Sequence, residues 1–341
     1  MCYRRRQWLV ALVCGGMLLC LILDSKTALI GATDGIHICL QTLVPVLLPY
    51  IFLSALLSNA ISAQRLPLLN LLGKMCGIPT GAESIFLLGL LSGYPVGARL
   101  VSEAYRNGEI SESSAKRMLA FCSNAGPSFI LGILSCAFTS KIAPWLLWFI
   151  HIISAILVAM LIPDRKHSVA HVHVQTKVDP ASILLQSIKA LSLICAWVIL
   201  FRTLIAFIHT YLDAYLPPII QTILIGLLEL ANGCMCLERI PNEAVRFITC
   251  SCILAFGGLC VMMQTGSLCG TLGVKTYGLG KILQMFISFV MSIPLAYWIY
   301  NMTPNVWFFV CTVAILLIIT LAIMTSHKGR KNSSISLNVG I

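Results

Sequence analysis

Three observations predict an all-α polytopic membrane protein, with about eight transmembrane helices and two re-entrant hairpins in an inverted-repeat arrangement. Of the 341 residues, 58% are hydrophobic and only 10% are charged, and the mean hydropathy is +0.93. Soluble domains carry about 25% charged residues, and a water-exposed surface cannot be built from so few. Stretches of about 20 apolar residues, the length a helix needs to cross the hydrocarbon core, recur along the whole chain. Two further apolar stretches are short or broken by Gly and Pro, and they lie at matching places in the two halves.

Taken in order, Arg4-Arg5-Arg6 precede the apolar run Trp8–Leu23, which resembles the n- and h-regions of a signal peptide. Asp24-Ser25-Lys26-Thr27 follow without a small-x-small cleavage pattern. Residues 1–35 are therefore expected to be an uncleaved N-terminal membrane anchor crossing at 8–23. A first repeat, 36–162, holds spans at 36–61, 118–138 and 143–162 and a hairpin at 81–100. Residues 163–182 form a polar cytoplasmic linker. His167, His171 and His173 fall there and suit a solvated connector better than a metal site. A second repeat, 183–300, holds spans at 183–210, 247–268 and 282–300 and a hairpin at 218–233. Residues 301–341 supply a last span at 305–324 and a cytoplasmic tail. The polar stretch 101–117 is a connector in which Glu112 and Lys116 are spaced for an i,i+4 pair. Non-helical backbone at membrane depth survives only where protein or a water-filled cavity satisfies it, so the broken stretches carry the functional interest.

The net charge of +11 reads first as positive-inside bias, since the basic residues are interleaved with apolar spans. With both termini cytoplasmic and both broken stretches entering and leaving on one side, all but five of the 23 Lys and Arg fall inside. The exceptions are Lys26, Lys141, Arg202, Arg239 and Arg246, and Lys281 counts among the inside residues. No nucleic-acid-binding pattern is present. The expected partners are a lipid bilayer and a small-molecule solute, and a homo-oligomer is left open.

Gly89-Leu-Leu-Ser92-Gly93-Tyr94-Pro95 lines up with Gly226-Leu-Leu-Glu229-Leu-Ala-Asn232, 137 positions later. A polar turn and a helix start follow each, with Ser111 and Asn242 as N-caps. Each following helix is then interrupted, at Asn124-Ala125-Gly126-Pro127 and at Phe256-Gly257-Gly258. A repeat with three crossings reverses its own orientation, so the halves would be inverted. Paired Gly/Pro-interrupted segments at matching places point to a transport site. A plain helix-packing face along Gly89, Gly93 and Gly97 is the alternative.

Pro95 and Pro127 suit the first turn of a half-helix, whose N-terminal dipole end favours an anion, while the facing C-terminal ends favour a cation. The candidate solute-binding residues are Ser92, Gly93, Tyr94, Pro95, Asn124, Gly126, Pro127, Ser128, Asn232, Gly257, Gly258 and Gln264. Glu229 lies deep in an apolar stretch and is the candidate for coupling to H⁺ or Na⁺, or else forms a structural pair with Arg202. The 15 cysteines lie mostly in apolar runs, and the pairs Cys234/Cys236 and Cys250/Cys252 lack zinc spacing. No metal, cofactor or catalytic residue is expected. H-E-x-x-H, G-x-S-x-G and Walker A patterns are missing from the sequence, which argues against an enzyme or an ATP-driven pump.

Leu91-Ser92-Gly93-Tyr94-Pro95-Val96-Gly97-Ala98-Arg99 and Phe121-Cys122-Ser123-Asn124-Ala125-Gly126-Pro127-Ser128-Phe129-Ile130-Leu131-Gly132 resemble the bacterial sporulation integral membrane proteins of YlbJ type, which belong with the nucleoside-recognition (Gate) domain proteins. Ala255-Phe256-Gly257-Gly258-Leu259 and Gln264 resemble the second-half signature of that group. The resemblance covers roughly 36–300. It implies a fold related to concentrative nucleoside transporters, a Firmicute-type host, a role in endospore formation, and placement in the inner or forespore membrane. With the half-helix argument, it makes a dipicolinate-like carboxylate the expected cargo. A nucleoside permease and a non-transporting membrane scaffold are the alternatives.

Overall fold

A computed structural model describes residues 2–62, 67–162 and 179–338. The described residues are helical, without a strand. Helix α1 (Cys2–Leu23) meets α2 (Ser25–Ile38) at Asp24, whose carboxylate accepts the Thr27 N–H at 3.0 Å. A π-helical turn at Cys39–Leu43 carries α2 into α3 (Val44–Ser62). That turn falls just before Pro45, whose ring and missing N–H disturb the regular i to i−4 ladder. Next come α4 (Pro67–Cys76), α5 (Glu83–Ser92), α6 (Val96–Arg106) and α7 (Glu112–Leu119). The chain is then unwound as far as Pro127, makes a π turn at Ser128–Ile133 and a 3₁₀ turn at Leu134–Ala137, and enters α8 (Ala143–Leu161).

The second half opens with α9 (Pro180–Leu212), whose first turn is capped by Asp179, then α10 (Pro218–Leu228) and α11 (Leu230–Met235). A 3₁₀ turn at Cys236–Arg239 leads to α12 (Glu243–Phe256) and α13 (Gly258–Cys269). Helices α14 (Lys275–Ile299) and α15 (Val306–Asn338) complete the chain. Apart from the extra helix α4, the segments 25–161 and 180–299 run in the same order: a long helix, a pair of short helices, an interrupted helix and a further long helix.

Six stretches of the described chain are long and apolar enough to cross a membrane: Ser25–Leu57, Ala143–Leu161, Pro180–Leu212, Glu243–Leu272, Lys275–Ile299 and Val306–Met324. The protein is a helical, multi-pass membrane protein. One of the eight expected spans differs, whereas the stretch 8–23 lies within the continuous helix α1 (Cys2–Leu23). The stretch 118–138 is not a continuous helix: α7 ends at Leu119, the chain is unwound as far as Pro127, and the glycines of α5 and α6 pack onto that unwound backbone. A Cβ at Gly89 or Gly97 would overlap the Cys122 carbonyl oxygen. The first long helix also begins at Ser25, earlier than the expected 36. The side chains of Leu316, Leu317 and Leu321 on α15, and of Leu12, Ile22 and Leu23 on α1, are exposed, as lipid-facing residues are. Most of the linker expected at 163–182, with its three histidines, lies outside the described residues.

Hydrogen bonds fix which elements share an end of the helical body. At one end Arg117 donates to four backbone carbonyls: Ile162 at 2.9 Å, Gly77 at 2.8 Å, Cys76 at 2.5 Å and Ala159 at 2.6 Å. It ties the end of α4 to the end of α8. At the opposite end Arg246 donates to Ala137 O at 2.7 Å and to Ile240 O, and Thr139 Oγ1 donates to Glu243 at 2.8 Å. The pair α5/α6 opens toward the Arg117 end, where Ser102 on α6 meets Cys269. The pair α10/α11 opens toward the other end, where Arg239 Nη1 reaches Asp213 at 3.2 Å and Gln221 at 2.9 Å. Helices α2 and α9 run antiparallel. Asp24 pairs with Tyr211, Gly31 packs on Thr203 and Ala206, Gly35 on Ile199, and Cys39 on Cys195. Ser111 and Asn242 cap α7 and α12 as expected, and the Glu112–Lys116 pair forms at 2.5 Å.

Candidate functional site

The two short-helix pairs each close on glycine. In α5/α6, Gly89 faces Gly97; in α10/α11, Gly233 packs on Gly226. Small residues let two helices approach at backbone distance. The tip of the first pair, Gly93-Tyr94-Pro95, contains a cis Tyr94–Pro95 bond, and Gly93 adopts φ +82. Gly93 lies directly against Gly126 of the unwound segment. The tip of the second pair is Glu229, and it abuts the second break. There Gly257 and Gly258 both have positive φ (79 and 82), which glycine adopts without strain. A Cβ at Gly258 would press on Gly226 O and Leu228 O at 3.2 Å.

The two tip-and-break assemblies meet in the middle of the molecule. The Tyr94 hydroxyl donates to Leu254 O of α12 at 3.2 Å, and the Tyr94 ring covers Gly257. Between the assemblies lies an open-mouthed cavity. Its walls come from both tips (Ser92, Gly93, Tyr94; Glu229, Leu230, Ala231), both interrupted helices (Ala125, Gly126, Ser128, Phe129; Val261, Gln264) and the two long leading helices (Leu43, Leu47, Ile51; Ile194, Val198).

Of the residues expected to bind solute, Ser92, Gly93, Tyr94, Gly126, Ser128 and Gln264 line the cavity, as does Glu229. The Ser128 hydroxyl is buried without a hydrogen-bond partner. Gln264 donates to the Cys260 sulfur at 3.3 Å. Pro95, Asn124, Pro127, Asn232, Gly257 and Gly258 lie behind the wall and shape it. Pro95 precedes the first turn of α6, as expected. Pro127 precedes a π turn rather than an α-helix, so no regular half-helix begins there.

Glu229 is 3% exposed, and its carboxylate is engaged on the chain's own N–H groups. It accepts from Ala231 N at 3.0 Å, Asn232 N at 2.7 Å and Asn232 Nδ2 at 2.6 Å. It therefore caps α11. The pair expected between Glu229 and Arg202 is indirect. Arg202 donates to Asn232 Oδ1 at 3.1 Å and to Asp34 Oδ2 at 3.1 Å, so Asp34, Arg202, Asn232 and Glu229 form one chain of bonds.

Two buried residues escape the sequence reading. Lys281, expected at the cytoplasmic surface, is 0% exposed and sits beside the first break. Its ammonium donates to Ser123 O at 2.5 Å, Gln284 Oε1 at 2.6 Å, Tyr94 OH at 3.3 Å and Asn124 Oδ1 at 3.4 Å. His151 of α8 accepts the Ala125 N–H on Nε2 at 2.9 Å, which places its own proton on Nδ1. Gln284 also donates to Asn124 and to His151 O, and Ser288 bonds to Ser154. A signal for this stripe exists. Lys281, Gln284, Ser288 and Ser292 fall at helical spacing on one face of an otherwise apolar span. Comparison with protein-family models, with curated proteins and with solved structures gives no match to this chain.

Proposed function

We propose that the chain is a secondary transporter of a small anionic solute, built from two inverted repeats, with the cavity as its binding site. One observation carries the reading: a single cavity is walled at once by both helix-pair tips and both interrupted helices. A scaffold has no need to bring four irregular backbone segments to one place at membrane depth, where each polar group left unpaired is costly. On this reading α5/α6 and α10/α11 are re-entrant hairpins entering from opposite faces, and the antiparallel pairing of α2 with α9 is the seam of the inverted halves. The Arg117 end is cytoplasmic. It gathers Lys74, Arg99, Arg106, Lys116, Lys189 and Lys275, which fits the positive-inside rule.

The chemistry of the walls bears on the cargo. The lining is mainly apolar, with the hydroxyls of Ser92, Tyr94 and Ser128 and the amide of Gln264 as fixed polar points. Such a site orients a small, partly apolar molecule. Its charged member is Glu229, so an anion enters only with a cation that neutralises that carboxylate. Obligatory entry of anion and cation together is the physical basis of symport with H⁺ or Na⁺. The resemblance at 91–99 and 121–132 to the YlbJ-type sporulation proteins narrows the solute to a dipicolinate-like carboxylate, carried across the inner or forespore membrane during endospore formation. The test is uptake of labelled dipicolinate, other small carboxylates and nucleosides into proteoliposomes, under imposed H⁺ and Na⁺ gradients. Gradient-driven carboxylate uptake, lost in Glu229→Gln, supports the proposal. Nucleoside uptake instead would replace the cargo, and no uptake of any member would favour the scaffold.

A further inference from the structure

We infer that the Lys281 ammonium is a resident cation, tethered to α14, which fills the cation place at the break of the first half. Its meaning for coupling rests on the transporter reading above; its geometry does not. Four neutral oxygens converge on Nζ: the Ser123 carbonyl at 2.5 Å, Gln284 Oε1 at 2.6 Å, the Tyr94 hydroxyl at 3.3 Å and Asn124 Oδ1 at 3.4 Å. The rings of Tyr94 and Tyr277 turn their faces to it at 5.1 and 5.8 Å, a second attraction for a positive charge. Among the described residues no carboxylate forms an ion pair with Lys281.

A shell of carbonyl, amide and hydroxyl oxygens around one positive centre is what an alkali cation asks of a protein. Unwound backbone carbonyls past the C-terminal end of a half-helix are where transporters hold such ions. Helix α7 ends at Leu119, and Ser123 lies in the unwound segment beyond it. The negative end of the α7 dipole and the freed carbonyls therefore face the ammonium. A surface lysine has no need of this shell, because water would serve it better. Lys281 also joins three separate elements, α14, the Tyr94 tip and the Ser123–Asn124 break, as a bound cation would. The corresponding tip of the second half carries the Glu229 carboxylate instead of a tethered ammonium. The site beside the first break is thus occupied by the Lys281 side chain, and an exchangeable coupling ion would act at Glu229.

The experiment measures the melting midpoint of the purified full chain without solute, in NaCl, LiCl, KCl or methylammonium chloride against choline chloride at equal ionic strength. Lys281→Ser removes the tethered cation and leaves a polar space. Its midpoint in choline chloride falls by about 5 °C or more, and one of the small cations restores at least half of that loss saturably. The same cation raises the wild type less. Lys281→Met fills the space without charge and is not rescued. If neither alkali cations nor methylammonium raise Lys281→Ser more than wild type, the inference is overturned. Gln284→Glu beside Gln284→Met covers the case in which Lys281→Ser does not fold. Both lose the Nε2 donations to Asn124 and His151 O, so a Glu midpoint above that of Met shows a cation held at Nζ, whereas a Glu midpoint at or below that of Met, the penalty of an unpaired buried carboxylate, overturns the inference. No arm contains solute, so these outcomes stand apart from failure of the transport reading, which shows as absent uptake by wild type.

Discussion

Glu229 serves α11 before it serves any solute. Three N–H donors converge on its two oxygens, and a buried donor left without an acceptor costs about 1–3 kcal/mol. Glu229→Gln keeps one oxygen as acceptor and removes the charge, while Glu229→Ala removes both acceptors. Thermal melting should therefore rank wild type above Gln and Gln above Ala, with Ala lower by about 2–4 kcal/mol. A Glu229→Ala protein as stable as wild type would show that the cap is not formed. Gly97 makes a sharper demand. Its neighbour is the Cys122 carbonyl, a backbone group that cannot rotate aside. Gly97→Ala is expected to cost about 3 kcal/mol or more, at the upper end of overpacking penalties, and unchanged melting would contradict the packing of α6 on the break. At this scale the sequence is partly legible. A carboxylate inside an apolar run stands out, so Glu229 can be named, and the Gly/Pro breaks point to Ser92 and Ser128 beside them. Lys281 cannot, because a lysine near the start of a span also reads as an interfacial anchor. Only the polar stripe that continues through Gln284 and Ser288 separates the two meanings. His151 gives still less signal, since its role depends on the Ala125 N–H, and backbone partners leave no trace in side-chain patterns.

Elements are easier to foresee than their joints. The hairpin at 81–100 appears as α5 and α6, that at 218–233 as α10 and α11, each broken where Gly, Pro or a charged residue interrupts the apolar run. The stretch 118–138 reads as a span because its apolar content is high. Composition does not reveal that its carbonyls are spent on neighbours instead of on a helical ladder. Tyr94 is the joint between the assemblies, donating to Leu254 O and accepting from Lys281. Tyr94→Phe keeps the ring over Gly257 and removes both bonds. It should lower stability by about 1–2 kcal/mol, read as a lower melting midpoint; an unchanged midpoint would mean the bridge carries no weight. The seam between α2 and α9 depends on Gly31, where a Cβ would stand 2.7 Å from Ala206 Cβ and 2.8 Å from Thr203 Cα. Gly31→Leu must force the helices apart, and protease resistance of the purified chain should fall. Full retention would contradict the antiparallel register.

For the whole molecule, hydropathy and charge scarcity suffice for the membrane class, because a bilayer sets both a length and a composition. The meeting of the four irregular segments is not readable, since it depends on how the halves dock. The proposed topology is testable by reporter fusions. Fusions in the 163–178 linker and after Met324 should report the cytoplasm, and fusions near Lys141 and Tyr215 the opposite side. The claim that matters most is that the cavity is a solute site. A ligand that binds only the folded state raises its stability by mass action. The most direct measurement is the melting shift of purified wild type with dipicolinate, other carboxylates and nucleosides, with and without Na⁺ and at two pH values, beside Ser128→Phe, which fills the cavity. If the cavity binds solute, one small carboxylate gives a saturable rise of several degrees, dependent on H⁺ or Na⁺ and abolished by Ser128→Phe. A well-folded wild type that responds to no member of the panel, or a shift that survives the filled cavity, would contradict that claim.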